Sequence, residues 1–357
     1  MGEDSAIFWS FDVPSYPEEY PDEESVDEID VHAEPWLKTY LAVTIIACIT
    51  GLPLNFAILF IIMKKKLYRD VIWFLQGVFS ITLIVRIIMI PIEYHASRHP
   101  RGFAYETVAS CKAFHFFVEF SGASSNMMLL ALLSVRLISF TPRRQYIAKH
   151  PIICGVFVSM VVMFIAFFST VPIVSYLDLT IFDDERIMRI CHVHFDKYDP
   201  YLRWNKFNVS FCMFMPFIIG VICVIIMAIN QTKFYREYCK TSVSYLRQLD
   251  SVDNKENGST KASDFEDDRP MVDEIYSGES EQEERRITIL HIAYMVIYMV
   301  ILLPYVISVT MAVHYANAYT SVLHWALKYT HIVSLTVGII NPLAAFFIIP
   351  KLRELKS

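Results

Sequence analysis

Seven long apolar segments constrain this sequence more than any other feature. They lie at about residues 38–63, 71–93, 112–139, 151–176, 207–230, 287–314 and 323–349. A helix needs about 20 mostly apolar residues to cross roughly 30 Å of hydrocarbon. One such segment also fits a buried core helix, but seven of them between polar connectors predict an all-α membrane protein. The expected fold is a seven-transmembrane-helix bundle in the lipid bilayer.

Basic residues in the connectors indicate the orientation of this bundle. They cluster in the first, third and fifth connectors and in the C-terminal tail, which all face the same side. Because basic residues near helix ends mark the cytoplasmic side, we expect an extracellular N-terminus. The residues concerned are Lys64, Lys65, Lys66, Arg69, Arg143, Arg144, Lys149, Lys233, Arg236, Lys240, Arg285, Arg286, Lys351, Arg353 and Lys356.

Two acidic stretches flank or interrupt the apolar segments. Residues 1–35 contain twelve Asp and Glu, no Lys or Arg, and four interspersed prolines. The fifth connector, residues 231–286, holds thirteen acidic against three basic residues between Asp250 and Glu284. Such segments bury too little apolar surface to offset the entropy of ordering, so both are predicted to be disordered. The expected organisation is an acidic extracellular N-terminus (1–35), a transmembrane domain (36–353) that includes this third cytoplasmic loop, and a cytoplasmic tail (354–357).

The positions of the cysteines predict one disulfide. Five of the seven cysteines fall in apolar segments or in the cytosol, where thiols stay reduced. Cys111, at the outer start of the third segment, and Cys191, in the loop before the fifth, are the two expected outside. Two extracellular cysteines favour a bond between them over two free thiols.

Several landmarks in chain order resemble those of rhodopsin-like (class A) G-protein-coupled receptors. Arg136 follows Cys111 by twenty-five residues, as the family's cytoplasmic arginine follows its disulfide cysteine. Cys111 and Cys191 match that disulfide, and Ile348 to Arg353 match a short juxtamembrane helix. The other landmarks are Gly51-Leu-Pro-Leu-Asn55, the helix-kinking Pro216 and Pro304, and Asn341-Pro342 of the N-P-x-x-Y motif.

This resemblance implies a plasma-membrane receptor without a cofactor or enzymatic activity. It implies an extracellular ligand bound between the helices, and a heterotrimeric G protein or arrestin bound at the cytoplasmic face. Several family residues are nevertheless replaced. The counterpart of Asp-Arg-Tyr is Ser134-Val135-Arg136, the tyrosine of N-P-x-x-Y is Ala345, and C-W-x-P becomes Ile301-Leu302-Leu303-Pro304. These departures favour an alternative in which a receptor-fold protein binds ligand or partners without activating G proteins.

Ionisable residues within the apolar segments are candidate functional residues, because buried charges are costly in a membrane. Arg86 and Glu119 fall on segments that are neighbours in the family, so an ion pair between them is one expectation. Alternatively, Arg86 extends its charged end toward the membrane surface, or Glu119 bonds to a backbone group. Lys328 and His331 are three residues apart and share a helix face. The predicted ligand pocket consists of Arg86, Glu119, Tyr305, Ser308, Lys328 and His331. Alternatively, Lys328 and His331 are interfacial or packing residues.

Other functions find less support in the sequence. The apolar segments contain no H-E-x-x-H motif, catalytic carboxylate pair or C-x-x-C motif, and His115 and Glu119 lack a visible third zinc ligand. A channel or transporter predicts more polar or broken segments around a midplane site. Nothing points to nucleic acid as a partner.

The acidic N-terminus carries a candidate modification site. Tyr16 and Tyr20 each precede a proline followed by acidic residues, a context that resembles the tyrosine-sulfation sites of peptide receptors. Sulfation would strengthen a negative field that steers a cationic peptide toward the pocket. Alternatively, the segment is only a solvated spacer.

Overall fold

The computed structural model describes residues 23–98, 106–140, 149–182, 188–193, 198–230, 271–314 and 321–352. Helix α1 runs through Glu23–Ile46, a π-turn at Ala47–Gly51 and Leu52–Lys64. The other helices are α2 (Val71–Arg98), α3 (Val108–Ile138), α4 (Pro151–Ser175), α5 (Tyr198–Asn208, a π-helix at Val209–Phe214, then 215–230), α6 (Met271–Ile301 and Leu303–His314) and α7 (Ser321–Leu335 and Val337–Ile348). Short 3-10 turns lie at Leu67–Arg69 and Pro350–Leu352.

These helices confirm the predicted seven-helix bundle. Among the described residues, six helices are long and apolar enough to cross a membrane without a break. The sixth span is a bent pair, Arg285–Ile301 and Leu303–Val313, with an angle of 47° between its two parts. Apolar side chains such as those of Phe157, Phe164 and Val300 lie on the outside of the bundle, as they do in a protein whose solvent is lipid.

Two helices extend into stretches that the composition predicts to be disordered. Helix α1 begins at Glu23, so residues 23–35 are helical, and α6 begins at Met271 inside the predicted third cytoplasmic loop. Residues 1–22, 231–270 and 353–357 lie outside the described residues, and with them Tyr16, Tyr20 and the predicted tail.

Glycines let α1, α2 and α7 pack closely together in the interior of the bundle. A Cβ added at Gly338 would lie 2.9 Å from Cγ1 of Ile87, and one at Gly51 would lie 3.0 Å from Cδ1 of the same residue. The buried Asn55 amide donates to the Gly51 carbonyl at 2.8 Å and to the Gly338 carbonyl at 2.9 Å. Pro342 has no N–H to offer the Gly338 carbonyl four residues before it, so Asn55 supplies the missing donor.

The other kinking prolines lie where the resemblance places them, inside α5 and α6. Pro216 follows the π-helix Val209–Phe214, and Pro304 follows the break at Leu302 where α6 bends. Proline removes a backbone donor and clashes with the preceding turn, so the helix widens or bends just before it. The outer half of α6, beyond this bend, carries Tyr305, whose side chain is buried.

A β-hairpin covers the outer side of the bundle between α4 and α5. Strands β1 (Leu177–Phe182) and β2 (Met188–Val193) are antiparallel, and Leu179 pairs with Cys191. Cys191 forms a disulfide with Cys111 of α3, with a Cα–Cα distance of 6.0 Å and a sequence separation of 80. The predicted disulfide is thus confirmed, and it fixes the hairpin over the outer end of α3.

Candidate functional site

A cavity with an empty volume of about 520 Å³ lies between α2, α3, α5, α6 and α7. Its wall combines apolar side chains with a few charged and hydroxyl groups, the usual composition of a small-molecule or peptide-anchor site. The lining residues are Arg86, Met89, Glu93, Val118, Glu119, Ser121, Gly122, Asn126, Met213, Leu302, Tyr305, Val306, His331 and Leu335.

Arg86 of α2 is the buried cation of this cavity, with 9% of its surface exposed. Its Nη1 donates to Ser125 Oγ of α3 at 3.4 Å, and its Nη2 donates to Ser334 Oγ of α7 at 3.3 Å. Both hydroxyls donate their own hydrogens to backbone carbonyls, Ser125 to Gly122 and Ser334 to His331. Their lone pairs are therefore available to the guanidinium, which joins three helices through neutral acceptors.

Glu93 lies two turns further out on α2 and carries the buried carboxylate of the cavity. Its Oε1 is 3.7 Å from Nε2 of His331 on α7, and the Tyr40 hydroxyl of α1 lies beside the same carboxylate. The His331 ring packs against Tyr305 of α6, with 5.2 Å between ring centroids. One carboxylate therefore organises contacts among α1, α2 and α7.

The structure brings together four of the six predicted pocket residues: Arg86, Glu119, Tyr305 and His331. The other two lie elsewhere. The Ser308 hydroxyl donates to the Pro304 carbonyl of its own helix at 2.9 Å. The Lys328 ammonium lies 5.2 Å from the ring centroid of Trp36 and 4.9 Å from that of Trp325, a cation–π contact at the outer ends of α1 and α7. A role of any of the six in ligand binding stays a prediction.

Arg86 and Glu119 share the cavity, but the described residues show no oxygen–nitrogen contact of 4 Å or less between them. The guanidinium uses Ser125 and Ser334 instead. Sequence reasoning missed Glu93, which falls at the end of the predicted segment and resembles an interfacial residue there. Its spacing of seven residues from Arg86 was a usable signal, because residues two turns apart share a helix face.

At the cytoplasmic end, Arg136 of α3 bonds directly to α6. Its Nε and Nη2 donate to Thr288 Oγ1 at 3.0 and 2.7 Å, and its Nη1 donates to Ser139 Oγ at 3.3 Å. The guanidinium carbon also lies 5.0 Å from the Phe140 ring centroid. The hydrogen bonds from the buried Arg136 guanidinium to the Thr288 hydroxyl therefore hold α3 and α6 together at the cytoplasmic end of the bundle.

The residue directly before Arg136 is Val135, which is buried in the core. In the order Asp-Arg-Tyr the carboxylate immediately precedes the arginine, so Val135 replaces it, and the assignment of Ser134 to that place is wrong. The Ser134 side chain instead lies beside the Cys223 thiol of α5.

Nothing in the described part of the chain gathers three His, Cys, Asp or Glu side chains into a possible metal site. His115 is buried beside Phe114, with 5.1 Å between ring centroids. The seven-helix architecture, the disulfide-fixed hairpin and the polar interhelical cavity together define a membrane receptor of the seven-helix class.

Comparison with known families agrees with this class. The model of the family described as "7 transmembrane receptor (rhodopsin family)" matches residues 54–344. The chain belongs to that family of multi-pass membrane receptors. No curated protein matches the chain.

Proposed function

We propose that this chain is a plasma-membrane receptor that binds its extracellular ligand in the cavity around Arg86, Glu93, Glu119, Tyr305 and His331. The observation that supports it best is the position of this cavity relative to the cytoplasmic pair Arg136–Thr288. Glu119 and Arg136 are both on α3, and Tyr305 and Thr288 are both on α6. The separation is 17 residues in each helix, about 25 Å at 1.5 Å per residue.

The two helices therefore connect the ligand site to the cytoplasmic face independently. A ligand that contacts α6 at Tyr305 and α3 at Glu119 changes the relative position of these helices. The bend at Leu302 lets the outer and inner halves of α6 move differently. Such a displacement breaks the Arg136–Thr288 contact and opens a cytoplasmic surface for a heterotrimeric G protein or arrestin. A ligand shifts this equilibrium only by its differential affinity for the two states.

A receptor that signals without G proteins is the second candidate. Val135 replaces the carboxylate that precedes the arginine in the family, and Ala345 replaces the tyrosine near the inner end of α7. Both positions are buried, and neither side chain forms a hydrogen bond or an ion pair. A cytoplasmic surface without this carboxylate and this tyrosine is compatible with arrestin binding or ligand uptake, and not only with G-protein activation.

The ligand itself is proposed to carry positive charge. Glu93 and Glu119 contribute two carboxylates to the cavity. The N-terminal residues 1–22 add acidic residues around Tyr16 and Tyr20. Together they favour a cationic peptide, which long-range attraction brings to the extracellular face before its end enters the cavity.

A screen of cationic peptides and small molecules against cells expressing the chain tests this function, with G-protein dissociation and arrestin recruitment measured in parallel. Gly122 offers a matched pair of variants, because an added Cβ there meets nothing within 4 Å. Gly122→Leu fills the cavity and is expected to abolish responses at normal surface expression, whereas Gly122→Ala preserves them.

Each outcome decides one part of the proposal. Arrestin recruitment without G-protein dissociation favours the second candidate. Responses that survive Gly122→Leu at unchanged potency contradict ligand binding in the cavity.

A further inference from the structure

The guanidinium of Arg86 is unusual because its described partners are two neutral hydroxyls at the long end of the hydrogen-bond range, 3.3 and 3.4 Å. Arginine keeps its charge and has five N–H donors, of which these two bonds use two. Burying a charge is costly unless an opposite charge and further hydrogen bonds compensate for it. Arg86 therefore retains three unused N–H donors, and among the described residues no carboxylate lies within 4 Å of its guanidinium.

The carboxylates of the same cavity do not supply that compensation directly. Within the described residues, neither Glu93 nor Glu119 places an oxygen within 4 Å of the Arg86 guanidinium. Glu93 is engaged by His331 at 3.7 Å and adjoins Tyr40. The cavity thus presents a cation on one side and carboxylates on another, without a direct bond between them.

We infer that the cavity binds an amphoteric ligand group, with a carboxylate on Arg86 and a cationic group on Glu119. This inference rests on the proposed function and specifies its ligand. A purely cationic ligand would leave Arg86 without an anion in direct contact, and a purely anionic one would bring no partner for the acidic groups Glu93 and Glu119. A group that carries both charges satisfies both sides.

The geometry of arginine favours a carboxylate over other anions. Its planar fork matches two carboxylate oxygens in a bidentate pair, which is stronger and more directional than a contact to a point charge. A phosphate would bring close to two negative charges into a cavity that already holds two carboxylates. The required ligand end is therefore monoanionic and lies next to a basic group.

Two kinds of probe carry this chemistry: a free basic amino acid, and a peptide with a free C-terminal arginine or lysine. Both kinds bring the same two charged groups to the Arg86 and Glu119 sides of the cavity. Purified full-length chain in lipid nanodiscs is exposed to free arginine, free lysine, and tripeptides that end in either residue. Every tripeptide is supplied as a free acid and as a C-terminal amide. Binding is measured as a shift of the thermal unfolding midpoint and as a dissociation constant.

We expect at least one free acid to stabilise the protein and its amide to bind at least about tenfold more weakly. Arg86→Gln should abolish the difference between acid and amide. Arg86→Lys keeps the charge without the fork and should bind the acid with intermediate affinity, so it decides the question if Arg86→Gln does not fold. Lys112→Gln removes a cation outside the cavity and should bind the acid as the wild type does.

Equal binding of acid and amide overturns the inference, and so does unchanged affinity in Arg86→Gln or loss of affinity in Lys112→Gln. Absence of binding by every probe also overturns it. The proposed function fails separately, through cellular responses that are insensitive to Gly122→Leu. A ligand that has no carboxyl group, but whose response is lost in Gly122→Leu, would support the receptor function. It would contradict only the inference that the ligand carries a carboxylate.

Discussion

Arg136 of α3 donates two hydrogen bonds to a single oxygen, Thr288 Oγ1 of α6, at 3.0 and 2.7 Å. A hydrogen bond to a charged group contributes about 1.5–3 kcal/mol when it is buried. The pair therefore restrains the cytoplasmic ends of two helices although the family's carboxylate is missing. Its acceptor is a neutral hydroxyl, which one substitution removes.

Thr288→Ala is predicted to release this restraint. A loss of about 1.4 kcal/mol corresponds to a tenfold change in an equilibrium constant, so the open state should become roughly tenfold or more populated. Basal signalling per surface receptor measures the change, and a distance probe between the inner ends of α3 and α6 measures it in purified protein. Thr288→Ser keeps the hydroxyl and should behave as the wild type; equal opening in both variants contradicts the prediction.

Val135→Asp is predicted to have the opposite effect. It restores a carboxylate immediately before Arg136 and adds a charge-assisted restraint on the guanidinium. Basal signalling, normalised to surface expression, should fall below the wild-type level. Ser134→Asp puts the same charge beside the Cys223 thiol of α5 and should leave basal signalling less affected. If the two variants lower it equally, position 135 has no special relation to Arg136.

Loss of the Cys111–Cys191 disulfide is predicted to impair folding and surface expression. The bond spans 80 residues, and closing such a loop typically stabilises a protein by about 2–4 kcal/mol. Cys111→Ser and Cys191→Ser should reduce surface expression to a similar extent. The double variant should be no worse than either single one, because all three lose the same bond. Normal expression of both single variants would show that the bond is dispensable.

Gly338→Ala is predicted to destabilise the bundle, because its Cβ would lie 2.9 Å from Ile87 Cγ1. Overpacking of this kind usually costs about 1–3 kcal/mol. The thermal unfolding midpoint of purified protein should fall. Gly122→Ala is the matched control, since it makes the same chemical change in a helix where a Cβ meets nothing within 4 Å. Its midpoint should stay or rise slightly, because alanine favours helix; an equal decrease in both variants would exclude the steric explanation.

Deletion of residues 1–22 is predicted to slow association of a cationic ligand. The acidic residues of this segment act at long range, and such attraction decays over a Debye length of about 8 Å at physiological salt. The association rate of the full chain should therefore decrease as salt rises, and that dependence should weaken after the deletion. Tyr16→Phe with Tyr20→Phe isolates the contribution of sulfation. If the deletion alters neither rate nor salt dependence, the segment is only a spacer.

The apolar segments by themselves determined the fold class, because crossing the bilayer requires long apolar helices whatever their partners are. The disulfide between Cys111 and Cys191 was also predictable from sequence, because these are the two cysteines expected on the extracellular side. The landmark prolines predicted where α5 and α6 are distorted, because a missing backbone N–H acts locally.

Only the tertiary structure decided which polar side chains meet. Lys328 and His331 share a helix face in sequence, yet His331 reaches Glu93 while Lys328 lies against Trp36 and Trp325. Arg86 pairs with hydroxyls on α3 and α7 rather than with Glu119. Periodicity fixes the direction of a side chain on its own helix, but rotation, tilt and bending of the neighbouring helices fix its partner. Those quantities depend on packing between residues far apart in the chain.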